Sequence, residues 1–117
     1  MILTVNKKQV TPEIGLAELH GRLLMGNDSR QVEWAVAEFL KEGIKKVVLD
    51  LSEVDTMDST GVGILVMCHA KLQKEKGDLR IVSKPGIVHD TLLMTHVDRL
   101  VRMYPTAKEA AQNFSVS

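Results

Sequence analysis

The residues of this chain best suited to chemistry are Asp58, Ser59 and Thr60, which stand between two apolar segments. The segment before them, residues 47–51, is rich in β-branched side chains and predicts a buried strand. The segment after them, residues 62–68, predicts a helix, so Ser59 is expected in its first turn. Unpaired backbone N–H groups and the positive end of the helix dipole meet at such a position, where a phosphate is tolerated. The pattern therefore favours phosphorylation of Ser59 as a switch.

The same segment also has a purely structural interpretation. Asp58 or Ser59 would be the N-cap of the helix, and Gly61 and Gly63 would let the helix pack closely on the sheet. For an isolated Asp-Ser-x-Gly motif this interpretation is the stronger one. Thr60 offers a second hydroxyl beside Ser59, so the choice between the two acceptors rests on position.

Catalysis is the weakest interpretation of the segment. It would make Ser59 a nucleophile with a histidine base, but the sequence has neither a Gly-x-Ser-x-Gly elbow nor a P-loop motif. The four histidines lack the spacing of zinc ligands, and Cys68 lies among apolar neighbours, as a buried hydrophobe would. Asp50 and Asp55 could steer a metal or a kinase side chain, but solvation of loops and local turn hydrogen bonds explain them at least as well, so we do not assign them as ligands. We expect no enzymatic activity, metal or cofactor.

The composition limits the class of protein. A chain of 117 residues forms one domain, which we place at residues 1–117. Fifteen basic residues balance fifteen acidic ones and only 3% of residues are aromatic, which argues against a nucleic-acid partner. The longest apolar run, residues 64–68, is far shorter than the roughly 20 residues that cross a bilayer, and residues 1–8 lack the apolar part of a secretory signal. We expect a cytoplasmic protein without direct membrane insertion.

Periodicity and turn residues predict the elements that position this segment. Capping-box pairs, Asp28 with Gln31 and Thr106 with Glu109, begin the first and last helices, and Pro85 takes the first position of the third. The predicted strands occupy residues 2–5, 17–23, 47–51, 79–82 and 100–104. The predicted helices run from Asp28 to Gly43, from Ser59 to about residue 76, from Pro85 to about Thr95, and from Thr106 to an anchor at Phe114. Strands that alternate with helices predict parallel pairing, hence a small α/β domain with a mixed sheet and about four helices.

Residues 48–52, 54–55 and 57–65 together resemble the STAS domain, the sulfate transporter and anti-sigma factor antagonist family. The similarity extends over nearly the whole chain. Residues 20–23 resemble the second strand of the family, residues 77–82 its next strand, and residues 98–106 its C-terminal pattern, in which a short strand precedes the last helix.

The resemblance implies a bacterial partner-switching protein without catalysis of its own. In this family the serine that matches Ser59 is phosphorylated by an anti-sigma factor that is also a GHKL-type serine kinase. A PP2C-type phosphatase reverses the modification, and the unphosphorylated form binds the kinase and releases a sigma factor. One departure concerns Leu24, which stands where many phosphorylatable members carry an acidic residue.

A partner surface is expected around the serine. Leu65, Cys68 and Leu72 form the stripe that should face the sheet, which leaves Val62 or Met67 partly exposed. Phosphorylation adds about −1.5 to −2 charges beside this surface, and burying them unpaired lowers affinity about a hundredfold or more without moving the fold. The expected partner-binding residues are Asp58, Thr60, Gly61, Val62, Val66 and Met67. The alternative function is an unphosphorylated accessory subunit of a membrane lipid-transport complex, docked on its ATPase.

Overall fold

Strands and helices alternate along most of the chain in the computed structural model, which describes residues 3–26, 29–112 and 114. The described strands are β1 (Thr4–Thr11), β2 (Ile14–Leu23), β3 (Lys46–Met57), β4 (Asp78–Val82) and β5 (Arg102–Tyr104). The described α-helices are α1 (Arg30–Lys41), α2 (Ser59–Lys74), α3 (Ile87–Met94) and α4 (Ala107–Gln112), and a short 3-10 turn, Val97–Arg99, follows α3.

The five strands lie in one sheet in the order β1-β2-β3-β4-β5. Only the β1–β2 pair is antiparallel, and the three other pairs are parallel. The predicted mixed sheet, with the N-terminal strands at one side, is therefore confirmed. Because β2, β3 and β4 run in the same direction, their carboxyl ends meet at one edge of the sheet, where the helices that follow them begin.

Three strands extend well beyond the apolar pattern, and β2 begins at Ile14 rather than at Ala17. β1 continues from the expected end at Val5 to Thr11, because it pairs with β2 through its backbone while its side chains stay largely exposed. β3 continues from the expected end at Leu51 to Met57, opposite the last residues of β2. Two register shifts give β3 two more residues than the facing part of β2, and such irregularities break the period-2 pattern. Consequently only Asp58 separates β3 from α2.

The two faces of the sheet carry different helices. Leu49 belongs to the larger buried cluster, with side chains from α1, α2 and α3. Its neighbour Val48 belongs to a second buried cluster on the other face, with α4 and the fully buried Phe114. The expected anchor at Phe114 is thus confirmed. The Oγ1 of Thr106 accepts a hydrogen bond from the N–H of Glu109 at 3.2 Å, as one half of the predicted capping box requires.

Three predicted boundaries need correction. Pro85 precedes α3 by two residues, because Gly86 adopts φ 149° and takes the N-cap position. Leu100 ends the 3-10 turn, so the last strand begins only at residue 102. The predicted cap at Asp28 lies outside the described residues, and Ser29 occupies the N-cap position of α1 without a side-chain capping hydrogen bond.

Candidate functional site

Ser59 is the first residue of α2 and lies at the carboxyl edge of the parallel strands. Its side chain is exposed, whereas that of Thr60 is half-buried. The predicted place of Ser59 in the first helical turn is confirmed. Of the two neighbouring hydroxyls, Ser59 offers the one that another protein can reach more easily.

Asp58 is the N-cap of α2 and joins three parts of the chain. One carboxylate oxygen, Oδ1, accepts the N–H of Gly61 at 3.1 Å, and the other, Oδ2, accepts the N–H of Met25 at 3.1 Å. The backbone N–H of Asp58 donates to the carbonyl oxygen of Leu23 at 3.3 Å. The start of α2 is therefore fixed both to the end of β2 and to the loop that follows it.

These contacts determine the charge next to Ser59. The N–H of Met25 is the main cause that lowers the pKa of Asp58, partial burial opposes it, and the N–H groups of Gly61 and Thr60 add to the lowering. Asp58 is therefore ionised at neutral pH. Its carboxylate occupies part of the helix N-terminus, which confirms Asp58 as the N-cap, so a phosphate on Ser59 would stand beside a negative charge.

The two glycines of the first turns differ in their surroundings. A Cβ on Gly61 would lie 2.5 Å from the carbonyl oxygen of Leu23 and 2.7 Å from Cγ of Met57, so the helix can approach the strand ends only because the side chain is absent. A Cβ on Gly63 would meet nothing within 4 Å. The expected role in close packing therefore holds for Gly61 and is wrong for Gly63.

An exposed ridge runs along α2 from the serine. Ser59, Gly63 and Met67 follow one another at intervals of four residues, and all three are exposed, Met67 by 58%. The opposite side of the helix is buried, including Leu65, Cys68 and Leu72, which confirms the predicted core stripe. Both Val62 and Val66 are half-buried, and Val62 packs against the main core. The more exposed flank of the stripe is thus Met67.

Sequence reasoning missed several apolar side chains that are exposed on neighbouring elements. Met25 is 76% exposed in the loop after β2, and Ile87, Leu93 and Met94 are exposed on α3. The signal for α3 was present, since residues 87–94 hold more apolar side chains than one core-facing stripe of a short helix can bury. Met25 carried no such signal, because its position depends on the contact with Asp58.

The described residues offer little that resembles a catalytic or metal centre. Burial raises the pKa of Cys68 to about 12, which leaves its thiol unreactive. Within residues 3–26, 29–112 and 114, no three His, Cys, Asp or Glu residues form a group that could hold a metal ion. A serine–histidine hydrogen bond of 2.8 Å joins Ser83 to His89 and does not involve Ser59, and its serine is buried. In the same part of the chain, no helix has the length and hydropathy needed to span a membrane.

The fold and this helix start define a STAS domain: residues 6–110 match the family model of that name, and the chain belongs to the family. A relative from Thermotoga maritima, named as an anti-sigma factor antagonist, is 32% identical over 97 residues, which cover 77% of this chain and 86% of the relative.

Several solved structures share this fold. An anti-sigma factor antagonist from Mycobacterium paratuberculosis superimposes with a TM-score of 0.84 at 22% identity, over 97% of this chain and 94% of the other. The phosphorylated form of SpoIIAA, a cell fate determinant of Bacillus, superimposes with a TM-score of 0.71 at 17% identity, over 94% of this chain and 98% of the other.

Proposed function

We propose that this protein is an anti-sigma factor antagonist that binds an anti-sigma factor with GHKL-type serine kinase activity. Phosphorylation of Ser59 by that kinase switches binding off, and a PP2C-type phosphatase restores it. While unphosphorylated, the protein occupies the anti-sigma factor, and a sigma factor is released to direct transcription. The protein acts in the cytoplasm and has no catalytic activity of its own.

The position of Ser59 carries this proposal. Its side chain is exposed, and it is the first residue of a helix that only Asp58 separates from a central strand. A kinase can therefore reach the hydroxyl without unfolding the domain. SpoIIAA, which has the same fold, occurs in a phosphorylated form, and this observation supports a comparable modification here.

The ridge on α2 supplies the surface that a partner would cover. Met67 lies two turns from Ser59, or about 12 Å along the helix axis. A partner that packs against Met67 would also cover Gly63, where the missing side chain permits close approach of another backbone. The same contact would remove Ser59 from water.

Charge explains how phosphorylation would end this contact. The ionised carboxylate of Asp58 already accepts the N–H of Gly61, so the helix N-terminus offers a phosphate less compensation than an empty one would. A phosphoserine adds about −1.5 to −2 charges beside this carboxylate. A partner that buries this charge without a cationic group to pair it loses affinity about a hundredfold or more.

Phosphosite mapping and affinity purification from the native cell test the proposal together. We expect mass spectrometry to locate phosphate on Ser59, and a tagged protein to recover an anti-sigma factor kinase. A Ser59→Ala variant should lose the label, and a Thr60→Ala variant should keep it. Recovery of a membrane-transport ATPase, with Ser59 unmodified, would contradict the proposal and favour the accessory lipid-transport subunit.

A further inference from the structure

The carboxylate of Asp58 links two segments that are far apart in the sequence. Its two oxygens accept one N–H from α2, that of Gly61, and one from the loop after β2, that of Met25, 33 residues earlier in the chain. Hydrogen bonds to an ionised group are stronger than those between neutral groups. The contact is possible because Gly61, without a Cβ, lets α2 approach the carbonyl oxygen of Leu23.

This bond holds the backbone at residue 25 without burying the side chain of Met25. The Met25 side chain remains 76% exposed, so its position adds little apolar burial to the folded domain. Because the bond holds the backbone from which this side chain projects, a partner that binds Met25 has less loop entropy to remove. The contact between Asp58 and Met25 therefore serves recognition better than it serves the core.

We propose that Met25 belongs to the surface that recognises the anti-sigma factor kinase, and that Asp58 is the positioning residue that holds Met25 beside Ser59. This role presupposes the proposed function and extends its contact surface from α2 to the loop after β2. The partner should offer an apolar pocket for the thioether side chain, next to the place where its active site receives Ser59.

Two substitutions separate the positioning residue from the contact residue. Asp58→Ser keeps an oxygen that can cap the N–H of Gly61 but supplies no second oxygen for Met25. Met25→Ala removes the exposed side chain and keeps the backbone N–H that Asp58 accepts. We expect Asp58→Ser to raise hydrogen exchange at the Met25 amide about tenfold or more, and Met25→Ala to leave exchange at residue 25 low.

Phosphorylation kinetics with the purified kinase give the second measurement. We expect each variant to raise the KM for phosphorylation about tenfold, the size of a lost interface contact, with little change in kcat. Two matched controls lie at the end of β1, beside the start of β2 and about 30 Å along that strand from its end near Asp58. Val10→Ala removes a side chain that is 47% exposed, and Thr11→Val removes an oxygen that accepts the N–H groups of Glu13 and Ile14, each at 3.1 Å. Both controls should keep the wild-type KM.

The outcomes distinguish this role from the proposed function. If wild type is phosphorylated while Asp58→Ser and Met25→Ala keep its KM, the role of the loop is wrong and the proposed function stands. Unchanged exchange at the Met25 amide in Asp58→Ser would refute the positioning role of the carboxylate by itself. If the kinase neither binds nor phosphorylates wild type, the proposed function fails and the role of Met25 fails with it.

Discussion

A Cβ on Gly61 would lie 2.5 Å from the carbonyl oxygen of Leu23, a separation that real Cβ atoms do not reach. Because the contact is with backbone, it cannot be relieved by a change of rotamer. The first turn of α2 can rest against the end of β2 only while residue 61 has no side chain. This contact places Asp58 and Ser59 where they are.

Exchange of the two glycines for alanine tests this packing. Gly61→Ala should destabilise the domain by about 1–3 kcal/mol, because the helix must shift to admit the methyl group. Gly63→Ala is the matched control, and it should stabilise the domain by about 0.5–1 kcal/mol, since Gly63 is exposed within the helix and has open space around it. Urea unfolding measures both free energies. Equal effects of the two substitutions would contradict the close approach of α2 to Leu23.

A second pair of substitutions separates the core side of α2 from its exposed ridge. Leu65→Ala should cost about 2–5 kcal/mol of stability, because it removes a fully buried side chain. Met67→Glu should change stability by no more than about 0.5 kcal/mol, as an exposed substitution does. Thermal melts of the two variants and wild type measure these changes in stability.

Calorimetric titration with the purified kinase gives the other half of the test. Met67→Glu should weaken binding at least about tenfold, because its carboxylate would face an apolar partner surface. Val62→Glu is a poorer test of the ridge, since Val62 is half-buried against the core and its substitution would also affect folding. Wild-type affinity in Met67→Glu would remove the ridge from the partner surface.

A negative charge at residue 59 should affect binding and leave the fold intact. Ser59→Asp places a carboxylate where the helix dipole favours it, but beside the ionised Asp58, so the two effects on stability largely cancel. We expect a change in unfolding free energy within about 0.5 kcal/mol, together with weaker binding of the kinase. A variant that melts well below wild type would show that the two carboxylates repel each other more than the dipole compensates.

The pH dependence of stability should report the contacts of Asp58. Its pKa is lower in the folded protein than in the unfolded chain, so the unfolded state binds more protons between the two values. The stabilisation is complete above the unfolded value of about 3.9 and is lost as the pH falls through the folded value. Asp58→Asn should therefore be less stable than wild type at pH 7, and the difference should shrink below about pH 4. A difference independent of pH would mean that ionisation contributes nothing.

The position of Ser59 at a strand-to-helix junction and the buried stripe of α2 could both be predicted from the sequence. Residues 47–51 and 62–68 differ enough in periodicity to place Ser59 at a strand-to-helix junction, and the core stripe of Leu65, Cys68 and Leu72 follows from helical spacing. The continuation of β3 to Met57 could not be predicted, because pairing with β2 and two register shifts support it rather than an alternating pattern.

The hydrogen bond between the N–H of Met25 and the carboxylate of Asp58 could not be predicted from local sequence pattern. Asp58 and Met25 are 33 residues apart, and only the packing of α2 against the end of β2 brings the carboxylate to that N–H. Without it, Asp58 would still cap α2 through the N–H of Gly61, but the backbone at residue 25 would not be held at the helix start. With it, the pKa of Asp58 is lowered further and the backbone of an exposed methionine is held beside the helix start.

Calorimetric titration of the purified kinase with two forms of this protein tests the switch most directly. One form is unmodified, and the other carries phosphoserine introduced at residue 59 during synthesis, so that the test does not depend on the kinase to make it. We expect the phosphorylated form to bind about a hundredfold more weakly or worse, with an unchanged melting curve. Equal Kd values for the two forms would contradict the proposal that phosphorylation of Ser59 controls the partner.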